Sequence, residues 1–221
     1  DSDILSQDDP RVWAVDRQVE TKVYAFSSKR EVCRGCFLKQ GRIVLRDEKD
    51  ERLLRSAEVR LPGLHNQENV MAAALVGHCL GVPVQTMRSP ISSFSGLEHR
   101  LEKVLSVRRI DFVNDSKATT VDATIKALQS FDKKIVLILG GRDKGADFTP
   151  LRRPVRGKVK KVILIGEARE KIKDALGKVV PMEEASSLSE AVVLSFAAAS
   201  PGEMVLLAPA CTSFDMFKNF E

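Results

Sequence analysis

Short runs of consecutive apolar residues mark the second half of the chain. Four of them alternate with helix-length amphipathic segments, and they are Ile110 to Val113 (interrupted by Asp111), Ile135 to Leu139, Val162 to Ile165 and Val205 to Leu207. Strands that are buried on both faces have this pattern, and alternation with helices is typical of right-handed βαβ units. The pattern predicts an α/β fold with a mostly parallel sheet.

A different pattern precedes these runs. Stretches rich in β-forming residues cover Lys22 to Phe26, Gly35 to Leu38 and Arg42 to Arg46, with a turn expected at Gln40-Gly41. We therefore expect antiparallel strands in residues 22–60.

Helical spacing follows the antiparallel strands. It extends from Gln67 to Leu80, ends near Gly81 and Pro83, and is followed by a second short helix expected around Val84 to Ser89. On spacing alone, a cap for the first helix is favoured over a binding role for Asn66, with Asn69 one turn along the same face. The change of pattern near Ser95 to Leu97 predicts a domain boundary, with residues 1–96 on one side and 97–221 on the other.

Composition narrows the class of ligand. The 221 residues are 43% apolar and carry a net charge of +5, with 30 acidic residues interleaved among the basic ones. The basic run Arg152 to Lys161 is therefore interpreted as a solvated face, and one Trp and one Tyr offer little for base stacking. We expect phosphorylated or carboxylated small molecules as ligands, and no nucleic acid.

Compartment is predicted from the cysteines and from hydropathy. The four cysteines are few for this length, and no apolar run approaches the roughly 20 residues of a membrane helix. The acidic first residues are unlike a secretion leader, so we expect a cytoplasmic protein with no membrane partner. Cys33-Arg-Gly-Cys36 lacks a second pair at zinc-site spacing, so a turn with free thiols is favoured and no metal site is predicted.

Polar motifs follow three of the predicted strands. They are Asn114-Asp-Ser-Lys-Ala-Thr-Thr120, Gly140-Gly-Arg-Asp-Lys-Gly145 and Ala208-Pro-Ala-Cys-Thr-Ser213. Ligands of open α/β sheets collect at the carboxyl ends of the strands, because helix N-termini and loop amides converge there. The motifs therefore predict a binding edge.

Local structure offers alternatives for some of these residues. Thr119 has the spacing of a helix cap with Asp122, whereas for Asp115 and Lys117 a binding role is favoured over a local ion pair. The Gly-Gly pair alone is a weak signal, and no P-loop sequence occurs in the chain.

Five separated motifs resemble, in order, the C-terminal half of the Mur ligase family. They are Gly63-Leu-His-Asn-Gln-Glu-Asn69, Phe94-Ser-Gly-Leu-Glu-His-Arg100 and the three strand-end motifs, the last continuing to Phe220. The resemblance implies that residues 1–96 are the tail of a central P-loop ATPase domain. It also implies that residues 97–221 form a Rossmann-like domain that brings the amino acid. The similarity is greatest to the members that add D-glutamate to UDP-N-acetylmuramoyl-L-alanine.

The resemblance also implies the chemistry. ATP would phosphorylate the carboxylate of UDP-N-acetylmuramoyl-L-alanine, and the amine of D-glutamate would attack the acyl phosphate, in peptidoglycan synthesis by a monomeric enzyme. Lysines and Mg²⁺ would offset the anionic charge that accumulates, with the Mg²⁺ ligands expected in a part of the central domain that this chain lacks.

Individual roles are carried over by motif. Nucleotide binding is implied for Asn66, Asn69, Arg100 and Asp115, and the reaction centre for Ser116 and Lys117. D-Glutamate binding is implied for Thr119, Lys144, Ser213, Phe214 and Phe220, with Lys144 and Thr119 on the α-carboxylate.

The chain also departs from the family pattern. It has no P-loop, no uridine-binding domain and no counterpart of the lysine that the family carbamoylates, so we expect no ligation by this chain alone. It ends at Glu221 inside the terminal motif, so a poorly ordered Phe220 pocket is expected, and Thr120 stands where an Asn is expected. The alternatives are another amide ligase of the Mur or folylpolyglutamate type, a non-catalytic nucleotide- or amino-acid-binding module, or a basic nucleic-acid-binding protein.

Overall fold

The structure is a computed structural model that describes residues 1–216. The chain divides into two compact units, the first from Asp1 to Ser95 and the second from Gly96 onward. No helix within the described residues is long and apolar enough to cross a membrane.

The first unit is a five-stranded sheet covered by helices. Its elements are β1 (Ser2–Ser6), α1 (Pro10–Trp13), β2 (Lys22–Ser27), β3 (Gly35–Lys39), β4 (Arg42–Arg46), β5 (Asp50–Arg55), α2 (Leu64–Cys79) and α3 (Val84–Ser93). The strands lie in the order β1-β2-β3-β4-β5. On the sheet, Met71, Ala74 and Leu75 of α2 form a buried cluster with strand residues such as Ile43 and Leu45.

Strand pairing in this sheet is mixed. The β3-β4 and β4-β5 pairs are antiparallel as expected, whereas the β1-β2 and β2-β3 pairs are parallel. The expectation of antiparallel strands throughout residues 22–60 was therefore wrong for β2, and β1 was not predicted. Ile4 and Leu5 are the only apolar residues of β1, and its pairing with β2 joins residues about twenty positions apart, which local periodicity does not reveal.

The start of α2 also differs from the prediction. The helix begins at Leu64, three residues before Gln67. The chain turns into the helix at Gly63, whose φ is 92°. A positive φ of this size favours glycine. Asn66 therefore lies in the first turn of the helix and is not its cap.

The second unit is a six-stranded α/β sheet. Its elements are β6 (Glu102–Val107), β7 (Ile110–Asn114), α4 (Val121–Gln129), β8 (Ile135–Gly140), α5 (Arg152–Lys158), β9 (Val159–Ile165), α6 (Arg169–Leu176), β10 (Met182–Glu184), α7 (Leu188–Ala198) and β11 (Met204–Leu207). The order is β10-β9-β8-β11-β7-β6, with all neighbours parallel except the β6-β7 hairpin. The predicted α/β fold with a mostly parallel sheet is confirmed.

Strand β8 shows why the apolar runs were informative. All six of its residues are buried. Ile135 and Leu137 contribute to one core together with α4, α5 and α6, whereas Val136 and Ile138 contribute to a second core with α7. Because successive side chains of a strand point to opposite faces, a strand covered on both faces needs apolar residues at every position.

Candidate functional site

A cavity of about 460 Å³ lies in the second unit, where the loops after β7, β8 and β11 meet. The β7 loop contributes Ser116, Lys117 and Thr119 to its lining, and the β8 end contributes Gly140 and Gly141. The segment after β11 contributes Pro209 and the residues from Cys211 to Phe214. The three polar motifs of the sequence therefore lie at one edge of the sheet, as ligand sites of open α/β sheets do.

Backbone hydrogen bonds hold the three loops together. Asp115 donates its N–H to the Leu207 carbonyl at 2.8 Å, and Ala210 donates to Ala118 at 2.8 Å. The β8 loop is joined to the β11 segment by a reciprocal pair, Arg142 N–H to Thr212 O at 2.7 Å and Thr212 N–H to Arg142 O at 3.2 Å. The cavity is thus built on fixed backbone.

Both glycines of the Gly-Gly pair are required by close approach of other backbone segments. Gly140 and Gly141 have φ of 123° and 135°. A Cβ on Gly140 would lie 2.1 Å from the Ile165 carbonyl oxygen, and a Cβ on Gly141 would lie 2.4 Å from the Thr212 carbonyl oxygen. The pair, a weak signal in the sequence, is a steric requirement of this edge.

Helix α4 is capped by the neighbour of the residue that spacing indicated. Thr120 is the N-cap, and its hydroxyl accepts a hydrogen bond from the Ala123 N–H at 3.2 Å. The capping alternative for Thr119 was therefore wrong. Thr119 lies at the cavity wall instead, and the hydroxyl of Thr120 caps the helix.

Asp115 is a buried carboxylate at the base of the β7 loop, and 6% of the residue is exposed. Its Oδ1 accepts a hydrogen bond from the Leu101 N–H at 3.2 Å, and Oδ2 accepts none from the described residues. Burial raises the pKa of Asp115, although the Leu101 N–H and the nearby charge of Arg100 oppose the shift. Asp115 and Arg100 are thus neighbours at this edge, but neither lines the cavity.

His99 and Asn114 also line the cavity, although neither was predicted from the sequence to be a binding or catalytic residue. His99 has φ of 66°, and its carbonyl accepts the Lys117 N–H at 3.1 Å. It lies directly before Arg100 in a motif that was recognised. The position of its ring at the β7 loop is a tertiary contact that no local spacing indicates.

The predicted D-glutamate residues are only partly brought together. Thr119, Ser213 and Phe214 line the cavity, whereas Lys144 is exposed on the β8 loop and does not. In that loop Asp143 holds the backbone by accepting the Ala146 N–H at 2.8 Å, and it pairs with Lys171 at 2.6 Å. Phe220 lies outside the described residues.

Asn66 and Asn69 lie in the first unit, on α2. Asn66 is buried and donates a hydrogen bond from Nδ2 to the Pro62 carbonyl at 2.7 Å, and its Oδ1 accepts one from Asn69 at 3.3 Å. Asn69 is exposed. The Asn66 amide therefore fixes the turn before the helix, and Asn69 presents its side chain to solvent.

The cysteines are free thiols, including the Cys33 and Cys36 pair. Burial raises the pKa of Cys211 to about 12, with the charges of Asp143 and Asp215 adding to the shift, so its thiol is neutral at the cavity wall. Within residues 1–216, no group of three or more His, Cys, Asp or Glu side chains could hold a metal ion.

The second unit is thus an α/β domain with a cavity at the carboxyl edge of its parallel sheet. A family model described as "Mur ligase, glutamate ligase domain" matches residues 99–211. The chain therefore belongs to the Mur ligase family.

Curated relatives match almost the whole chain. One from Geotalea uraniireducens (strain Rf4), named UDP-N-acetylmuramoylalanine--D-glutamate ligase, is 42% identical over 218 residues, covering 99% of this chain and 48% of the relative. A relative of the same name from Koribacter versatilis (strain Ellin345) is 44% identical over 219 residues, with 99% and 48% covered. The chain spans about half the length of the curated relatives it matches.

A solved structure extends the comparison to the fold. The crystal structure of MurF from Acinetobacter baumannii matches with a TM-score of 0.68 at 15% identity, covering 98% of this chain and 50% of that one. The similarity shows a shared fold.

Proposed function

We propose that this chain is part of an ATP-dependent ligase that joins D-glutamate to UDP-N-acetylmuramoyl-L-alanine in peptidoglycan synthesis. The observation that carries the proposal is the cavity at the ends of β7, β8 and β11, where the three polar motifs meet, in a chain whose relatives at 42% and 44% identity bear that ligase's name. The four free thiols suit a reducing cytoplasm, where we propose that the enzyme works as a monomer.

The reaction that we propose explains why a lysine, Lys117, and hydroxyl groups are needed at this cavity. A carboxylate is a poor acyl donor, so the γ-phosphoryl group of ATP is transferred to it and ADP leaves. The D-glutamate amine then forms the C–N bond through a tetrahedral intermediate that loses a proton and expels phosphate. Each step gathers negative charge, which fixed donors and lysines stabilise.

In this proposal the cavity receives D-glutamate. Lys117 and Ser116 lie at the reaction centre, where the Ser116 N–H is held by Asn114 Oδ1 at 3.0 Å. Thr119 and Ser213 supply hydroxyls and Phe214 supplies an apolar wall. Lys144, exposed on the β8 loop and outside the lining, is assigned to the α-carboxylate by motif. Phe220, outside the described residues, is assigned to the same pocket by motif alone.

The nucleotide is assigned to other residues. Asp115 Oδ2, which accepts no hydrogen bond from described residues, suits the hydroxyls of a ribose, and Arg100 beside it suits a phosphate. Asn69, exposed on α2, is proposed to face the adenine, with the buried Asn66 holding it through the bond to Asn66 Oδ1. The described residues offer no cluster that could hold a metal ion, so no Mg²⁺ ligand is assigned to them.

A titration of isotopically labelled chain tests the acceptor site. D-Glutamate is expected to shift the backbone amides of Lys117, Thr119 and Ser213, and L-glutamate is expected to leave them unchanged. A response to L-glutamate alone would overturn the assignment in favour of a different amide ligase. No response to D-glutamate at concentrations that saturate the complete enzyme would remove the acceptor site from this cavity.

A matched pair of lysine variants sharpens the test. Lys144→Ala should weaken the D-glutamate response, whereas Lys178→Ala removes an equal charge from an exposed position outside the cavity lining and should not. Equal effects of the two substitutions would leave only a general charge effect, and the role of Lys144 would be withdrawn.

A further inference from the structure

A second concave site lies in the first unit, in the groove between the edge strand β5 and helix α3. It has a volume of about 470 Å³, and four arginines line it: Arg42, Arg52, Arg55 and Arg88. We call it the arginine groove. Glu58 is its one acidic lining residue, so the lining carries a formal charge of +3 (four positive, one negative).

The partners of these arginines set them apart from others in the sheet. None of the four guanidinium groups pairs with a carboxylate of the described residues, in contrast to Arg46 nearby, which contacts Glu31 and Asp50. The Glu58 carboxylate accepts the backbone N–H of Arg55 at 2.7 Å. Arg88 donates to the Arg52 carbonyl at 2.5 Å, which holds one guanidinium at the groove.

A bulge in the sheet brings two of the arginines to the same groove. Arg52 and Arg55 are three residues apart, a spacing that puts side chains on opposite faces of a regular strand. The register changes between the pairs Val44-Arg52 and Ile43-Leu54, which leaves Leu53 without a partner in β4. Such a bulge reorients the side chains that follow it. Both arginines therefore line the groove while Leu53 and Leu54 are buried.

The arrangement opposes stability of the sheet. Arg42 and Arg55 are direct cross-strand partners in the β4-β5 pair. Like charges in this position are destabilising, and an opposite charge at either residue would stabilise the pair. A cluster that repels itself, lies in a cavity and lacks carboxylate partners is the arrangement expected of an anion site.

We propose that the arginine groove binds a small molecule with several phosphate groups. Arginine forks bind phosphate oxygens in a bidentate manner, and the volume lies in the range of small-molecule sites. None of the described lining residues is aromatic, whereas a single-stranded nucleic acid would need rings for its bases. The site is separate from the ligase chemistry proposed above and does not depend on it.

The test uses inorganic tripolyphosphate as the probe, titrated into labelled full chain at low and at physiological salt. Saturable shifts are expected at the amides of Leu54, Gln85 and Ser89 around the groove. Arg52→Gln and Arg88→Gln should each raise the dissociation constant roughly ten- to hundredfold, which is the loss of one charged hydrogen-bond donor. Arg30→Gln is the matched control, because this exposed arginine lies outside the groove lining and the same charge is removed.

Three outcomes would overturn the proposal. The first is the absence of shifts at the groove, with changes confined to the β7-β8-β11 cavity. The second is an equal loss of affinity in Arg30→Gln and in the groove variants. The third is tighter binding of a single-stranded oligonucleotide with shifts spread over the whole surface, which would indicate a nucleic-acid face. Unchanged thermal unfolding of the variants shows that lost binding is not lost folding.

Discussion

Asn114 donates a hydrogen bond from its Nδ2 to Nδ1 of His99 at 2.9 Å, while its Oδ1 accepts the Ser116 N–H at 3.0 Å. The second bond fixes which way the amide faces, since only the oxygen can accept. His99 Nδ1 must then be the acceptor, which places the ring proton on Nε2. One side chain thus sets the conformation of the β7 loop and the tautomer of a cavity-lining histidine.

Removal of this amide should destabilise the second unit. Asn114→Ala leaves the Ser116 N–H without its partner, and we expect a loss of about 1–3 kcal/mol in the free energy of unfolding. Urea denaturation measures it, with Gln129→Ala, an exposed amide at the end of α4, as the control. Equal stability of the two variants would show that the Asn114 bonds contribute nothing net.

The two glycines Gly141 and Gly157 should differ in how well they tolerate substitution by alanine. In Gly141→Ala the new Cβ meets the Thr212 carbonyl oxygen at 2.4 Å with φ of 135°, so we expect a loss of several kcal/mol or failure to fold. Gly157 lies in α5, and no heavy atom outside its own helix turn comes within 4 Å of the position that a Cβ would take. Gly157→Ala should therefore be neutral or stabilise by up to about 1 kcal/mol. Thermal unfolding compares them, and a tolerant Gly141 would contradict the close approach.

Thr119 and Thr120 should separate binding from stability. Thr120→Ala removes the cap of α4 and should cost about 0.5–2 kcal/mol of unfolding free energy. Thr119→Ala should change stability little and instead weaken the response to D-glutamate. The urea midpoint and the amide titration provide the two readouts, and reversed results would restore Thr119 as the cap.

Asp111 should make the free energy of unfolding depend on pH in the acidic range. Hydrogen bonds from Lys103 and then Lys133 hold the pKa of this carboxyl well below its usual range. Because the pKa of Asp111 is lower in the folded protein, its ionised form stabilises the fold at pH values above the pKa of the unfolded chain, near 3.8. This stabilisation is lost as the pH falls through the pKa of the folded state. Asp111→Asn should therefore be less stable than the parent at pH 7, by about 2 kcal/mol. The two should converge at strongly acidic pH; a constant difference across the pH range would point to packing instead.

The two proposed ligand sites should separate in kinetics of the complete enzyme. Lys144→Ala should raise the apparent KM for D-glutamate far more than that for ATP, and Asp115→Ala should do the reverse. These values come from steady-state assays with each substrate varied in turn. If both substitutions raised both constants equally, neither assignment would stand.

The sequence by itself determined the α/β fold of the second unit and the edge of its sheet where ligands are expected. Runs such as Ile135 to Leu139 indicate a doubly covered strand, because burial on both faces imposes apolar residues at every position, and this constraint is local. The motif positions at the strand ends follow from the same elements, and so does the Mur ligase resemblance that those motifs carried.

Only the tertiary structure decided which residue does what at that edge and how the first sheet pairs. Thr119 and Thr120 are adjacent hydroxyls, and the fold makes one a cap and places the other at the cavity. The parallel β1-β2-β3 pairing, the His99 contact and the bulge that gathers the arginine groove all join residues distant in sequence. Local periodicity does not indicate such partners, because packing and strand register determine them.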